Sequence, residues 1–249
     1  MTSYEQMNSI AKFSLVELDI ITQYLQKKEN VDEPTTVLIG GWAVDSYNSW
    51  FGSIDIDLIT NSKRRSSLSY FLREERDFVP YKLPGVSTGV KKDTEAGPII
   101  IDFETKQKPY PFEGRDESLD FSILDGNTET REIRGSIEIA VPNRATLLVL
   151  KLKAILDRRY RIEEHTSDDI EWEKGKLIKD YADVLALIDP NYGGTQIEIH
   201  ILGELLGMYP FLENSLTSIY ESDEGIEKYG RMSQHDAKTT IEQIISLVH

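Results

Sequence analysis

Apolar residues in the first thirty positions recur at helical spacing. Met7, Ile10, Ala11, Leu18, Ile21 and Leu25 fall on one face of a helix predicted over 3–28. A polar break from Asn30 to Pro34 follows. Val37-Leu38-Ile39 then reads as a short buried strand, stopped by Gly40-Gly41. Trp42, Val44, Tyr47, Trp50 and Phe51 suit a short helix over 42–51, and Ile54 to Thr60 a second strand. Another helix is predicted near 66–75, a third clear strand at Pro98–Glu104, and an irregular β region over about 119–141. This alternation predicts an α/β texture. After Pro142 the pattern becomes helical. Residues 143–161 form one apolar-faced helix, and 175–189 another, with Leu177, Tyr181, Val184, Leu185 and Ile188 on one side. The tail from about 195 reads as further helices broken at Gly207, Pro210 and Gly230. Two domains are expected: 1–142 and a helical 143–249.

Composition narrows the function classes. The 249 residues include no cysteine, which excludes disulfides and thiolate metal sites and fits a reducing compartment. No apolar run approaches the about 18 residues of a membrane span. The N-terminal stretch lacks the basic and apolar regions of a leader, so a cytoplasmic protein with no membrane partner is expected. The net charge of −15 argues against a broad, non-specific grip on nucleic acid. A local basic pocket remains open, because Lys151, Lys153, Arg158, Arg159 and Arg161 lie close together in the sequence.

The chemistry concentrates in an acidic strand. In Ile54-Asp55-Ile56-Asp57-Leu58 the side chains alternate, so Asp55 and Asp57 share a face. Two carboxylates on one face repel each other, and a divalent cation relieves the repulsion; an all-oxygen site suits Mg²⁺ or Mn²⁺. Gly40-Gly41 ends a strand and opens a helix, a turn that lets a phosphate approach the backbone closely. Such a turn ahead of a metal-binding strand is what a nucleoside triphosphate requires. On Pro98–Glu104, Asp102 is the candidate third carboxylate, as a metal ligand or as a base toward an acceptor hydroxyl, with Glu104 as the alternate. The competing readings are a solvated acidic edge and a plain tight turn.

The order strand, Gly-Gly, helix, Asp-x-Asp strand resembles the nucleotidyltransferase superfamily that includes DNA polymerase beta. GGWAVDSYNSWFGSIDIDLI is similar to the opening motif of the AbiEii-type nucleotidyltransferases, toxins of type IV toxin–antitoxin systems. A second block, VPNRATLLVLKLKAILDRR…KGKLIKDYADVLAL, resembles that branch through Lys151-Leu152-Lys153-Ala154, Arg158 or Arg159, Lys179-Asp180 and Asp183. The turn before Asp55 is Gly52-Ser53-Ile54, where relatives often carry an arginine a few residues ahead of the acidic pair. The two blocks cover about a third of the chain. The resemblance implies an α/β (α+β) fold: a small mixed β-sheet nucleotidyltransferase core with flanking helices, plus a C-terminal helical domain. It implies an enzyme moving an NMP from an NTP to an acceptor hydroxyl on tRNA or protein, as a toxin with a cognate antitoxin. Asp55, Asp57 and Asp102 would bind metal. Together with Lys151 and Asp180 they would form the catalytic set. Gly40, Gly41, Ser53, Arg158, Lys179 and Asp183 would contact substrate. The alternatives are nucleotidyl transfer to a small, aminoglycoside-like molecule, and a catalytically inactive nucleotide-binding or interaction module of the same fold.

On the helical wheel, Lys151 and Arg158 share a face able to neutralise triphosphate oxygens, whereas Lys153 and Arg161 are expected to be solvated. Lys176, Asp180 and Asp183 share a face of the next helix. Asp180 or Asp183 bridging to Lys151 or Arg158 would lock the two helices against the acidic strand. Trp42 is expected in the core, and the scattered histidines show no metal spacing.

Overall fold

The computed structural model describes residues 4–30, 32–82 and 88–249; Ser3, the expected start of the first helix, lies outside them. The chain is mixed α and β and divides into two compact units. One comprises residues 1–108 and 120–142; the other comprises 109–119 and 143–249. The segment 109–119, placed in the first domain from sequence, groups with the second unit.

The first unit is built on a five-stranded sheet. Its elements in chain order are α1 (Tyr4–Gln26), β1 (Val37–Ile39), α2 (Gly40–Tyr47), β2 (Ile56–Thr60), α3 (Ser62–Glu75), β3 (Val79–Lys82), β4 (Thr88–Asp93) and β5 (Pro98–Thr105). The strand order is β1-β2-β5-β4-β3, with β2 and β5 parallel and the other pairs antiparallel. β5 has the predicted alternation: Ile99, Ile101 and Phe103 are buried on one face. Helix α2 begins two residues earlier than expected, because the glycines form its first turn; β2 is shorter, leaving Asp55 in the bend before it. β3 and β4 were not expected. β3 is an edge strand and mostly exposed, so it carries no apolar alternation to read. The core includes Leu18, Ile21, Leu38, Ile56, Leu58, Leu68 and Leu72, and Trp42 is buried as expected.

Buried Glu17 on α1 holds Arg76 at 3.0 Å and Lys92 at 2.9 Å, so one carboxylate ties α1 to the end of α3 and to β4.

The second unit opens with a two-stranded ribbon, β6 (Tyr110–Pro111) and β7 (Ser118–Leu119). The hairpin β8 (Thr128–Ile133) and β9 (Ile137–Pro142) follows in sequence but belongs to the first unit. The helices of the second unit are α4 (Arg144–Glu163), α5 (Ile170–Ile188), α6 (Ile199–Met208), α7 (Glu213–Tyr220), α8 (Asp223–Tyr229) and α9 (Gln234–Val248). Asn143 caps α4 by accepting from Thr146 N. α5 starts five residues before the expected Gly175, capped by Asp169. Gly207 lies inside α6 rather than ending it, whereas Gly230 closes α8 in a left-handed conformation. No helix among the described residues is long and apolar enough to cross a membrane.

Candidate functional site

Parallel pairing sets the register of the acidic face in the first unit. Asp57 on β2 lies directly opposite Asp102 on β5, so the two side chains are cross-strand neighbours on one face. Both are partly exposed, in strands whose flanking residues are buried. Glu104 is opposite Ile59 instead, two residues further along. Asp55 sits in the bend before β2, and its backbone N–H donates to Ser53 Oγ at 3.3 Å; Ser53 itself is buried. Ser53 therefore shapes the approach to the acidic strand from below the surface.

Two glycines make room for the carboxylate pair. Gly40, at the start of α2, has φ of +68°, and a methyl group on it would overlap the Asp57 carboxylate. Gly89 on β4 is the counterpart on the other side: a methyl group there would lie 2.7 Å from Asp102 Oδ1. Gly40 thus meets two demands, a left-handed backbone and a carboxylate packed against its Cα. Gly41, next in the first turn, is buried. Strand pairing brings Asp57 and Asp102 together, and the turn adds Gly40. Among the described residues no group of three or more His, Asp or Glu side chains is arranged to hold a metal ion. The donor set present is two carboxylates, one of them packed against Gly40. That set fits Mg²⁺, which takes one or two carboxylates and completes its shell with water and phosphate oxygens.

Helix α2 is held by groups far away in sequence. Asp45, fully buried, accepts from Arg134 Nε and Nη2, both at 2.7 Å, in a two-pronged pair with the β8–β9 turn. Arg131 donates from Nε and Nη2 to Ser46 O, and its guanidinium stacks 4.1 Å from the Tyr47 ring centre. Tyr47 donates to Pro142 O at 2.8 Å. Sequence reasoning missed Asp45. The available signal was an aspartate inside the apolar run Trp42-Ala43-Val44.

In the second unit, the helical candidates form one buried chain of alternating charge. Asp183 accepts from Lys179 at 2.8 Å and from Lys151 at 2.6 Å. Lys151 also donates to Asp180 at 2.9 Å. Asp180 accepts from Arg158 at 2.8 Å, and Arg158 reaches Glu173 at 2.6 Å. Arg161 continues the chain from Glu173 at 2.9 Å to Glu113 on the β6–β7 loop. Burial opposes the charge on Lys151, but Asp180 and Asp183 outweigh it and hold its pKa above the usual lysine range. Burial likewise opposes ionisation of Asp180, and Lys151 with Arg158 outweighs it, holding the carboxyl well below the usual range. Lys179 goes the other way: burial depresses it, with Asp183 opposing and Lys151 reinforcing the shift.

The expected bridge of Asp180 and Asp183 to Lys151 and Arg158 is therefore present. Two expectations are corrected. Lys153 is not solvated: it is 1% exposed, paired with Asp157, and lies 3.3 Å from the Tyr110 ring centre. Arg161 is engaged by Glu113 and Glu173 rather than open to solvent. The fifth cation, Arg159, reaches Glu163 at 3.5 Å. All five basic residues of the 151–161 cluster thus face carboxylates of their own unit. Glu173, buried and shared by two arginines, was also missed; its partners are too distant in sequence to be read as pairs.

Compared with protein-family models and with curated proteins, the sequence matches none.

Proposed function

We propose that the first unit is a polymerase-beta-like nucleotidyltransferase core, resembling the AbiEii-type toxins, that moves an NMP from an NTP to an acceptor hydroxyl. The observation that supports this reading is the register of Asp57 against Asp102 with Gly40 packed on Asp57. In this reading the backbone N–H groups of Gly40 and Gly41, in the first turn of α2, would receive phosphate oxygens. Asp57 and Asp102, with Asp55 nearby in sequence, would hold Mg²⁺ or Mn²⁺, which would supply charge neutralisation to the triphosphate. Asp102 also serves as the base that takes the acceptor proton. The acceptor oxygen then bonds to the α-phosphorus as the α–β bridge breaks, and pyrophosphate leaves with the bridging oxygen. Asp45, Arg131 and Arg134 fix α2 and so position Gly40. In this reading Lys151, Arg158, Lys179, Asp180 and Asp183 hold α4 and α5 of the second unit together, since each cation among them is already bonded to a carboxylate. The acceptor is tRNA or a protein, and a toxin of this kind would be held in check by a cognate antitoxin.

The test is transfer of label from each of four α-labelled NTPs, with Mg²⁺, to total tRNA or to lysate protein, beside an Asp57→Ala/Asp102→Ala control. Label on a macromolecule with the parent alone supports the reading and names the nucleotide. Transfer only to small molecules moves the acceptor to the aminoglycoside-like class. Absence of both transfer and NTP binding leaves the fold as an interaction module.

A further inference from the structure

With the 151–161 cations committed to internal carboxylates, the positive surface of this acidic chain lies elsewhere. It gathers at one edge of the five-stranded sheet. β2 and β5 are parallel, so their C-terminal ends share that edge, and Lys106 N donates to Thr60 O there at 3.0 Å. Helix α3 starts at the same edge, two residues after Thr60, with Lys63, Arg64 and Arg65 in its first turn. The C-terminal end of α1 joins them: Arg64 donates to Lys28 O and to Glu29 Oε1, and Tyr24 donates to Ser67 O at 3.2 Å. Lys27, Lys28, Lys63, Arg64, Arg65 and Lys108 thus come from three elements of one unit.

Arg64 is held by Glu29 and Lys28 O, but local folding does not account for the other five cations. The first turn of α3 has no acidic residue, and three cations at a helix N-terminus oppose the helix dipole. Among the described residues Lys27, Lys28, Lys63, Arg65 and Lys108 pair with no carboxylate. Lys27, Lys28, Lys63 and Lys108 are exposed. Of the carboxylates at this edge, Glu29 is occupied by Arg64 and by Thr36, leaving Asp32, Glu33 and Glu138; Lys106 and Asp125 offset one another at 3.7 Å. A net excess of positive charge survives here in a chain of net charge −15.

We propose that this basic edge of the first unit, formed by the end of α1, the start of α3 and the end of β5, docks the phosphodiester backbone of RNA. Cations contributed by separate elements suit a string of phosphates rather than a single anion, and contacts of this kind position the chain without reading its sequence. At about 3.3 Å per residue, Thr60 lies roughly 10 Å along β2 from Asp57, which would bring a docked strand near the acidic pair if the transfer reading holds. The docking itself does not depend on that reading.

The experiment is tRNA binding by fluorescence anisotropy across a salt series, using full-length protein carrying Asp57→Asn so that no transfer contributes. Lys63→Glu/Arg65→Glu is compared with Lys174→Glu/Lys238→Glu, a charge-matched control at exposed cations of the second unit. Two acids in the first turn of α3 favour that helix, so misfolding is not the expected cause of a loss. The edge variant should bind about tenfold more weakly at moderate salt, and its log–log salt slope should fall by about 1.4. Equal weakening by the control pair, or no tRNA binding by the Asp57→Asn protein, overturns the proposal. Loss of label transfer with tRNA binding intact would count against the transferase reading alone.

Discussion

The pair Asp45–Arg134 is an asymmetric clamp, and cutting it from the two sides should give different costs. Asp45 has no side-chain exposure, whereas Arg134 is 39% exposed. Removing the arginine strands a carboxylate in the interior; removing the aspartate frees a guanidinium that water can reach. Breaking a buried pair costs about 3–5 kcal/mol, and the exposure of Arg134 reduces that to about 2–3 kcal/mol for Arg134→Ala. Arg134 also holds a left-handed backbone, φ +52°, which costs a non-glycine residue about 1 kcal/mol. Arg134→Gly should therefore be less damaging than Arg134→Ala by roughly that amount. Adding Asp45→Asn to Arg134→Gly removes the stranded charge and should recover at least about 1 kcal/mol. Urea unfolding followed by Trp42 and Trp50 emission in a Trp172→Phe background reports on the first unit. If Arg134→Gly with and without Asp45→Asn unfold at the same midpoint, the buried charge is not what the arginine compensates, and the account of α2 anchoring is wrong.

Other consequences are open to direct measurement. Gly40→Ala should abolish transfer and destabilise the first unit by about 1–2 kcal/mol, because the new methyl meets both a left-handed backbone and the Asp57 carboxylate; unchanged activity would remove Gly40 from the site. Asp57→Asn should raise the metal-free melting temperature by easing repulsion with Asp102, and should erase any stabilisation of the parent by Mg²⁺. Lys151→Met should cost about 3 kcal/mol in the second unit, the low end for a broken buried pair, since Arg158 and Lys179 still hold Asp180 and Asp183. The pKa of Asp180 is depressed in the fold, so its contribution is present above the ordinary aspartate value and declines as pH falls through the folded one. Acid titration of Asp180→Asn should accordingly show a shallower loss of stability below about pH 4 than the parent does; parallel curves would contradict the depressed pKa of Asp180.

The strands that build the acidic face were legible because their apolar residues alternate cleanly. Ile99, Ile101 and Phe103 announce β5 and leave Asp102 on the other side without further information. The edge strands β3 and β4 carry Pro80, Gly89 and lysines with little apolar alternation, so hydrophobic periodicity had nothing to register. The same limit applies to side chains. Asp180 and Asp183 were readable as bridge-builders because their spacing put them on one helix face. Lys153 was misread because a lysine in a run of basic residues looks solvated, although its i+4 partner Asp157 stood in plain view. Arg134 and Glu113 were invisible as partners: they meet Asp45 and Arg161 across 89 and 48 positions, which no local pattern encodes.

The excursion of residues 109–119 out of the first unit matters for how the protein is made. A fragment spanning only 143–249 would lack Tyr110, Phe112 and Glu113, and with them the aromatic cover of Lys153 and the terminal acid of the charge chain. During synthesis the reverse holds: that ribbon leaves the ribosome before α4 exists to receive it. Its apolar residues, Phe112 and Leu119 among them, must wait until α4, Arg144–Glu163, has been translated. The interval is a window in which a chaperone, or misassembly, has its best access to the nascent chain.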